Sequence, residues 1–141
     1  MFIDADMELE NAVLAESSQK LERNPKFAGI VIDEISKGTN FLAKVKALEK
    51  KIYEGQEFLE APRFFRKKDL QKIGGFDKEL ISGEDWDLAQ RIQKLGTLGR
   101  IEAKIIHWEC ESLIADLRKK FYYAQHIYNY AKKHPAVFKQ Q

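Results

Sequence analysis

Apolar positions along the chain recur with two periods, and the changes from one to the other divide it into elements. Residues 1–3, Met1-Phe2-Ile3, form a short apolar run that reads as the end of a strand, cut off by Asp4-Ala5-Asp6. From residue 7 to about 23, Leu9, Val13 and Leu21 share one face at helical spacing, and Asn24-Pro25 stops that helix. Residues 27–33 (FAGIVID) are rich in β-branched side chains and read as a buried strand. Gly38-Thr39-Asn40 turns into a second helix, 41–54, ended near Gly55. Residues 57–65 read as extended, with Pro62 confining them to an edge or an irregular stretch. A short helix follows over 67–73, then a tight turn at Gly74-Gly75-Phe76-Asp77, then a helix over 84–95 closed by Gly96. Residues 100–107 read as a strand and 112–133 as the last helix. Strands and helices alternate, so the expected class is α/β, with a mixed sheet flanked by helices.

No repeat or linker-like tract divides the 141 residues, which fit one domain spanning 1–141. An α/β chain that opens on a bare strand begins in mid-architecture, and the expectation is that something upstream is missing. The apolar share of 44% excludes disorder as the default. Twenty-four Lys and Arg against 22 Asp and Glu leave a net +2, too balanced for a nucleic-acid binder. Cys110 stands alone, which excludes an internal disulfide and a Cys-rich metal site and fits a reducing, cytoplasmic setting. No apolar run approaches the roughly 20 residues of a membrane span.

Charge is less even locally. From Leu113 onward the bases are Arg118, Lys119, Lys120, Lys132, Lys133 and Lys139, with Asp116 the only acid, interleaved with Phe121, Tyr122, Tyr123, Tyr128 and Tyr130. The apolar stripe Leu113, Leu117, Phe121, Ala124, Ile127 or Tyr128, and Ala131 follows the helical period. The expectation is therefore a helix packed by that stripe, with solvated lysines behind it. The same mix also suits a peripheral contact with a membrane surface or a phosphate-bearing ligand.

Three groups carry candidate chemistry. Asp4 and Asp6 stand at a strand end, where α/β proteins place ligands, and such oxygen donors suit Mg²⁺ or Mn²⁺; Asp6 as N-cap of the following helix is the competing reading. In Gly83-Glu84-Asp85-Trp86-Asp87, Ser82 and Asp85 fit a capping box, and spacing alone favours that structural role. Three acids around one Trp nevertheless exceed what a cap requires. A carboxylate at a helix start is also a candidate general base, and the Trp86 ring a candidate platform for a sugar. His107, at the end of its strand, completes a divalent metal site if it returns to the edge that carries Asp4 and Asp6. His126 and His134 show no ligand spacing, and P-loop, dinucleotide, nucleophile-elbow and zinc motifs are absent.

In order along the chain, Phe2-Ile3-Asp4-Ala5-Asp6, Gly74-Gly75-Phe76-Asp77, Gly83-Glu84-Asp85-Trp86-Asp87-Leu88-Ala89, Gly96 and His107 resemble family-2 glycosyltransferases of the GT-A fold. Asp-x-Asp alone is a weak signal; the GGFD and GEDWDLA blocks in sequence are specific. The resemblance implies a nucleotide-diphosphate-sugar donor, a glycan or lipid-linked acceptor, and Mn²⁺ or Mg²⁺ as cofactor. It implies that Asp4 and Asp6, the DXD pair, hold the cation against the diphosphate, with His107 as a later metal or diphosphate contact. Asp85 becomes the general base of an inverting transfer, with Glu84 and Trp86 beside it. Gly74, Gly75 and Phe76 shape the acceptor-side loop. The chain matches only the metal and acceptor half of that domain. The implied donor-binding half precedes residue 1, and self-association through the exposed N-terminal strand is expected of the isolated chain.

Two other readings remain. A haloacid-dehalogenase-like phosphatase also uses a strand-end Asp-x-Asp, but prefers Thr or Val where Met7 stands and needs a downstream Lys in the right context. A catalytically silent binding or interaction module is compatible with every motif.

Overall fold

The computed structural model describes residues 1–53, 60–109 and 112–139. Its elements in chain order are β1 (Met7–Leu9), α1 (Val13–Arg23), β2 (Phe27–Val31), β3 (Glu34–Lys37), α2 (Phe41–Tyr53), β4 (Phe64–Phe65), α3 (Lys67–Lys72), α4 (Glu84–Gln93), β5 (Thr97–Arg100), β6 (Ile105–Trp108), α5 (Leu113–Lys133) and α6 (Pro135–Phe138). The α/β class holds, as two small mixed sheets flanked by helices. One sheet has the order β1-β6-β3, with β1 antiparallel and β3 parallel to β6. The other has the order β4-β2-β5, with β4 antiparallel and β5 parallel to β2. Because β2 runs on into β3 and β5 into β6, one parallel ribbon crosses both sheets.

The strand expected at 100–107 is two strands. Between them the chain detours through 101–104, whose amides are held by acids of the opposite layer. Glu16 Oε2 accepts from the N–H of Glu102 and Ala103, both at 3.0 Å, and Glu10 Oε2 from that of Lys104 at 2.7 Å. The detour tucks Ile101 and Ala103 under α1, where they join Val13, Leu21, Ile30, Ile32 and Ile105 in one core cluster. A second cluster, Ala28, Phe65, Leu88 and Ile92, seats α4 on the other sheet.

The N-terminal reading is corrected twice. Residues 1–3 form no strand, because a three-residue run interrupted by the turn that Met7 N–H closes onto the Asp4 carbonyl makes a single sheet-like bond, Phe2 N–H to the Arg63 carbonyl. The strand is Met7–Leu9, and the helix starts only at Val13, after the Val13 N–H bonds the Glu10 carbonyl. Leu9 satisfies both a helical and a two-residue period, and pairing with β6 decides between them. Asp6 therefore caps no helix. The expected end of α2 near Gly55, residues 57–59 of the extended stretch, and Cys110 lie outside the described residues.

The expected packing of the last helix is also corrected. Leu113, Leu117, Phe121 and Tyr128 are all exposed, and Tyr130 is the only fully buried side chain of α5 among the described residues. The helix is held at its start by Asp116, which pairs with Lys46 of α2, and more extensively through its last turns. Tyr130 packs on Trp86, with ring centres 5.7 Å apart, and Asp87, fully buried in α4, takes Lys133 Nζ at 2.8 Å and His134 Nε2 at 2.7 Å.

Candidate active site

Pairing of Met7 with His107 across β1 and β6 leaves Asp6, one residue before the strand, beside the end of β6. Trp108 N–H bonds the Asp6 carbonyl at 2.9 Å, fixing that backbone. The Asp6 carboxylate then lies 3.4 Å from His107 Nε2. On the other side of the imidazole, Glu34 of β3 brings Oε2 to 3.2 Å from His107 Nδ1. A carboxylate only accepts, so Nδ1 donates in this contact and Nε2 is the ring nitrogen that faces Asp6. Glu34 Oε1 in turn accepts from Arg63 Nε at 3.0 Å and Nη2 at 2.7 Å, and Arg63 Nη1 reaches Asp4 Oδ2 at 3.4 Å. Asp6 and His107 thus meet at one end of the sheet, and Asp4 is linked to them only through Arg63 and Glu34, in the order Asp4, Arg63, Glu34, His107, Asp6.

The start of α4 faces the same charges. Burial raises the Asp85 carboxyl above the usual range, with the bond from Trp86 N–H (2.8 Å) and the nearby Arg63 opposing and Asp4 adding to the rise. Burial likewise raises Glu84, and its neighbours Asp85 and Asp4 push the same way. The capping box is not formed. The N-cap is Gly83, at φ 77°, with no side-chain cap bond, because that left-handed residue turns the chain into the helix one position after Ser82. A Cβ on Gly83 would also meet Tyr130 Cγ at 2.7 Å, so the position requires glycine for conformation and for space.

Gly74 and Gly75 both take positive φ, 79° and 70°, in open surroundings, so only conformation demands glycine there. Their turn delivers Phe76, whose ring meets Phe2 edge-on at 4.7 Å, two residues from Asp4. Trp86, expected to face a sugar, is half-buried against Tyr130. Asp87 turns away from the acids beside it. Its carboxylate serves Arg91, Lys133 and His134, which together outweigh the cost of burial and hold its pKa below the usual value.

Asp6 and His107 offer one oxygen and one imidazole donor, and the carboxylate behind His107 is the arrangement that orients a metal-ligating ring. This chemistry fits Mg²⁺ or Mn²⁺, which are commonly held by one or two carboxylates plus phosphate oxygens. Asp4 is engaged with Arg63, and among the described residues no group of three or more His, Cys, Asp or Glu is gathered as a ready cage. Sequence reasoning missed Glu34 and Arg63. Glu34 lies in a strand too short and polar to be read, although its i, i+2 neighbour Ser36 follows the alternation of a half-exposed strand. Arg63 carried no signal beyond following Pro62. No family model matches the chain, and no curated protein matches it either.

Proposed function

We propose that this chain supplies the metal-diphosphate and acceptor side of an inverting glycosyl transfer from a nucleotide-sugar to a hydroxyl. The observation that carries the reading is the place of Asp4 and Arg63 between two groups: through Glu34 they connect to His107 and Asp6, and the charge of Asp4 reaches the half-buried Glu84 and Asp85. Asp85 is suited to be the base: burial raises its pKa, and a carboxylate with a raised pKa accepts a proton with more driving force. It takes the acceptor hydroxyl proton as that oxygen bonds the anomeric carbon. The bond from that carbon to the diphosphate oxygen breaks on the opposite face, which inverts the configuration. Asp6 and His107 would hold the divalent cation, which supplies Lewis-acid neutralisation of the departing diphosphate. Arg63 positions Asp4 and Glu34, and Phe76 borders the acceptor side.

A second reading, an interaction module without transfer, is favoured by the engagement of Asp4 with Arg63. Mn²⁺ binding followed by electron paramagnetic resonance, with and without a nucleoside diphosphate, separates the two. The transferase reading expects Mn²⁺ to bind more tightly with diphosphate present, and Asp6→Asn or His107→Ala to weaken it about tenfold or more. It also expects Asp85→Asn to leave that binding intact and lower transfer from a nucleotide-sugar panel by about 10²–10⁴. Mn²⁺ affinity indifferent to diphosphate and to both substitutions returns the chain to the module reading.

A further inference from the structure

Two helices carry apolar stripes that face solvent. On α2, Phe41, Val45 and Leu48 recur at helical spacing, and Phe41 is 82% and Leu48 65% exposed. On α5, Leu113, Leu117 and Phe121 do the same, with Leu117 56% and Phe121 66% exposed. Both stripes lie on the side of the helix that ordinarily meets a core.

The helices are neighbours, joined by Lys46 Nζ to Asp116 at 2.5 Å and by Lys120 Nζ to Glu49 at 3.8 Å. The partners occur in the same order along both chains, so the helices run parallel at this contact. At about 100° per residue, the α2 stripe is centred roughly 130° counterclockwise from Lys46 and the α5 stripe roughly 105° clockwise from Asp116, viewed from the N-termini. Opposite rotations on parallel neighbours bring both stripes to one side. The same geometry puts exposed Lys44 and Arg118 at the outer margins and Lys120 between the helices.

Charge names the occupant. The sequences of α2 and α5 together contain nine Lys and Arg against two acids, and of the nine Lys46, Lys120 and Lys133 are engaged in ion pairs; the rest of the chain has fifteen against twenty. An apolar strip bordered by bases is complementary to an anionic lipid surface, with the rings and leucines entering the acyl boundary and the bases reaching headgroup phosphates. No helix among the described residues is long and apolar enough to cross a membrane.

We propose that α2 and α5 together form a docking face that lies on an anionic membrane. The proposal rests on these two helices alone, independent of the chemistry assigned to the acids around Arg63. Co-sedimentation of the full chain with phosphatidylcholine vesicles, with and without phosphatidylglycerol, tests it. The chain should bind the anionic vesicles and little of the neutral ones, and release them as salt is raised. Phe41→Glu and Phe121→Glu each remove an exposed ring, so circular dichroism should be unchanged while vesicle affinity falls about tenfold or more. Lys44→Glu with Arg118→Glu should weaken anionic binding alone. Absent binding to anionic vesicles, or equal binding by the variants, overturns the proposal. A concentration-dependent dimer dispersed by Phe41→Glu also overturns it, because a second copy then covers the face.

Discussion

At Asp85, ionisation works against burial, and this makes its stability signature the reverse of an ordinary paired aspartate. A carboxyl whose folded pKa is raised binds its proton more tightly folded than unfolded. It favours the folded state below the usual aspartate value of 3.8, and that contribution is lost as pH rises through the folded pKa. Asp85→Asn should therefore match or exceed the parent in thermal stability near neutral pH, with the difference shrinking as the buffer is acidified. A variant that melts earlier at neutral pH would give Asp85 a structural role instead. Gly83 is the opposite case, a residue with no chemistry and a large structural demand. Gly83→Ala should cost about 2 kcal/mol or more, from the left-handed conformation and the overlap with Tyr130. Chemical denaturation measures it. The sequence makes the acids of this segment visible but not their allocation. Ser82 and Asp85 have capping-box spacing, and only the positive φ of Gly83 reveals that the helix starts without it.

Among the elements, α5 is the one whose existence was legible and whose role was not. Its period announces an apolar stripe but cannot say what the stripe meets, and tertiary placement left it in solvent. Attachment of its last turns falls to Asp77 and Asp87. Lys133, bonded to both, lowers Asp77 most; at Asp87 the cost of burial is outweighed by Lys133, His134 and Arg91. Carboxylates lowered in this way stabilise the fold above 3.8 and lose that effect as pH falls through their still lower folded values. Acidification below about pH 4 should consequently release the C-terminal turns of α5 before β6 opens. Amide hydrogen exchange, corrected for intrinsic rates, reads this: simultaneous loss in α5 and β6 would refute a local latch. The short strands were illegible for another reason. Residues 7–9 and 34–37 hold too few side chains to display a period, and long-range partners create them.

For the whole molecule, alternation of periods was enough to give the α/β class, and it could not give the division into two sheets. That division depends on the detour at 101–104, which exists because Glu10 and Glu16, nearly ninety positions earlier, receive its amides. The candidate site has the same character. Asp4, Asp6 and His107 were readable as chemistry, while Glu34 and Arg63, which join them, acquire meaning only when the strands pair.

The parallel ribbon also sets a timetable. β6 is the central strand of its sheet, and both its partners lie within the first 37 residues; β5, the parallel partner of β2, begins only at Thr97. Among the described residues, the strand pairing available during synthesis before that is the two-residue contact of β2 with β4. Closing loops of about seventy to a hundred residues must precede most of the sheet, which is the topology of a slow folder. Residues 1–96 are therefore made while Asp6 and His107 are still apart, and the two meet only when β6 is delivered.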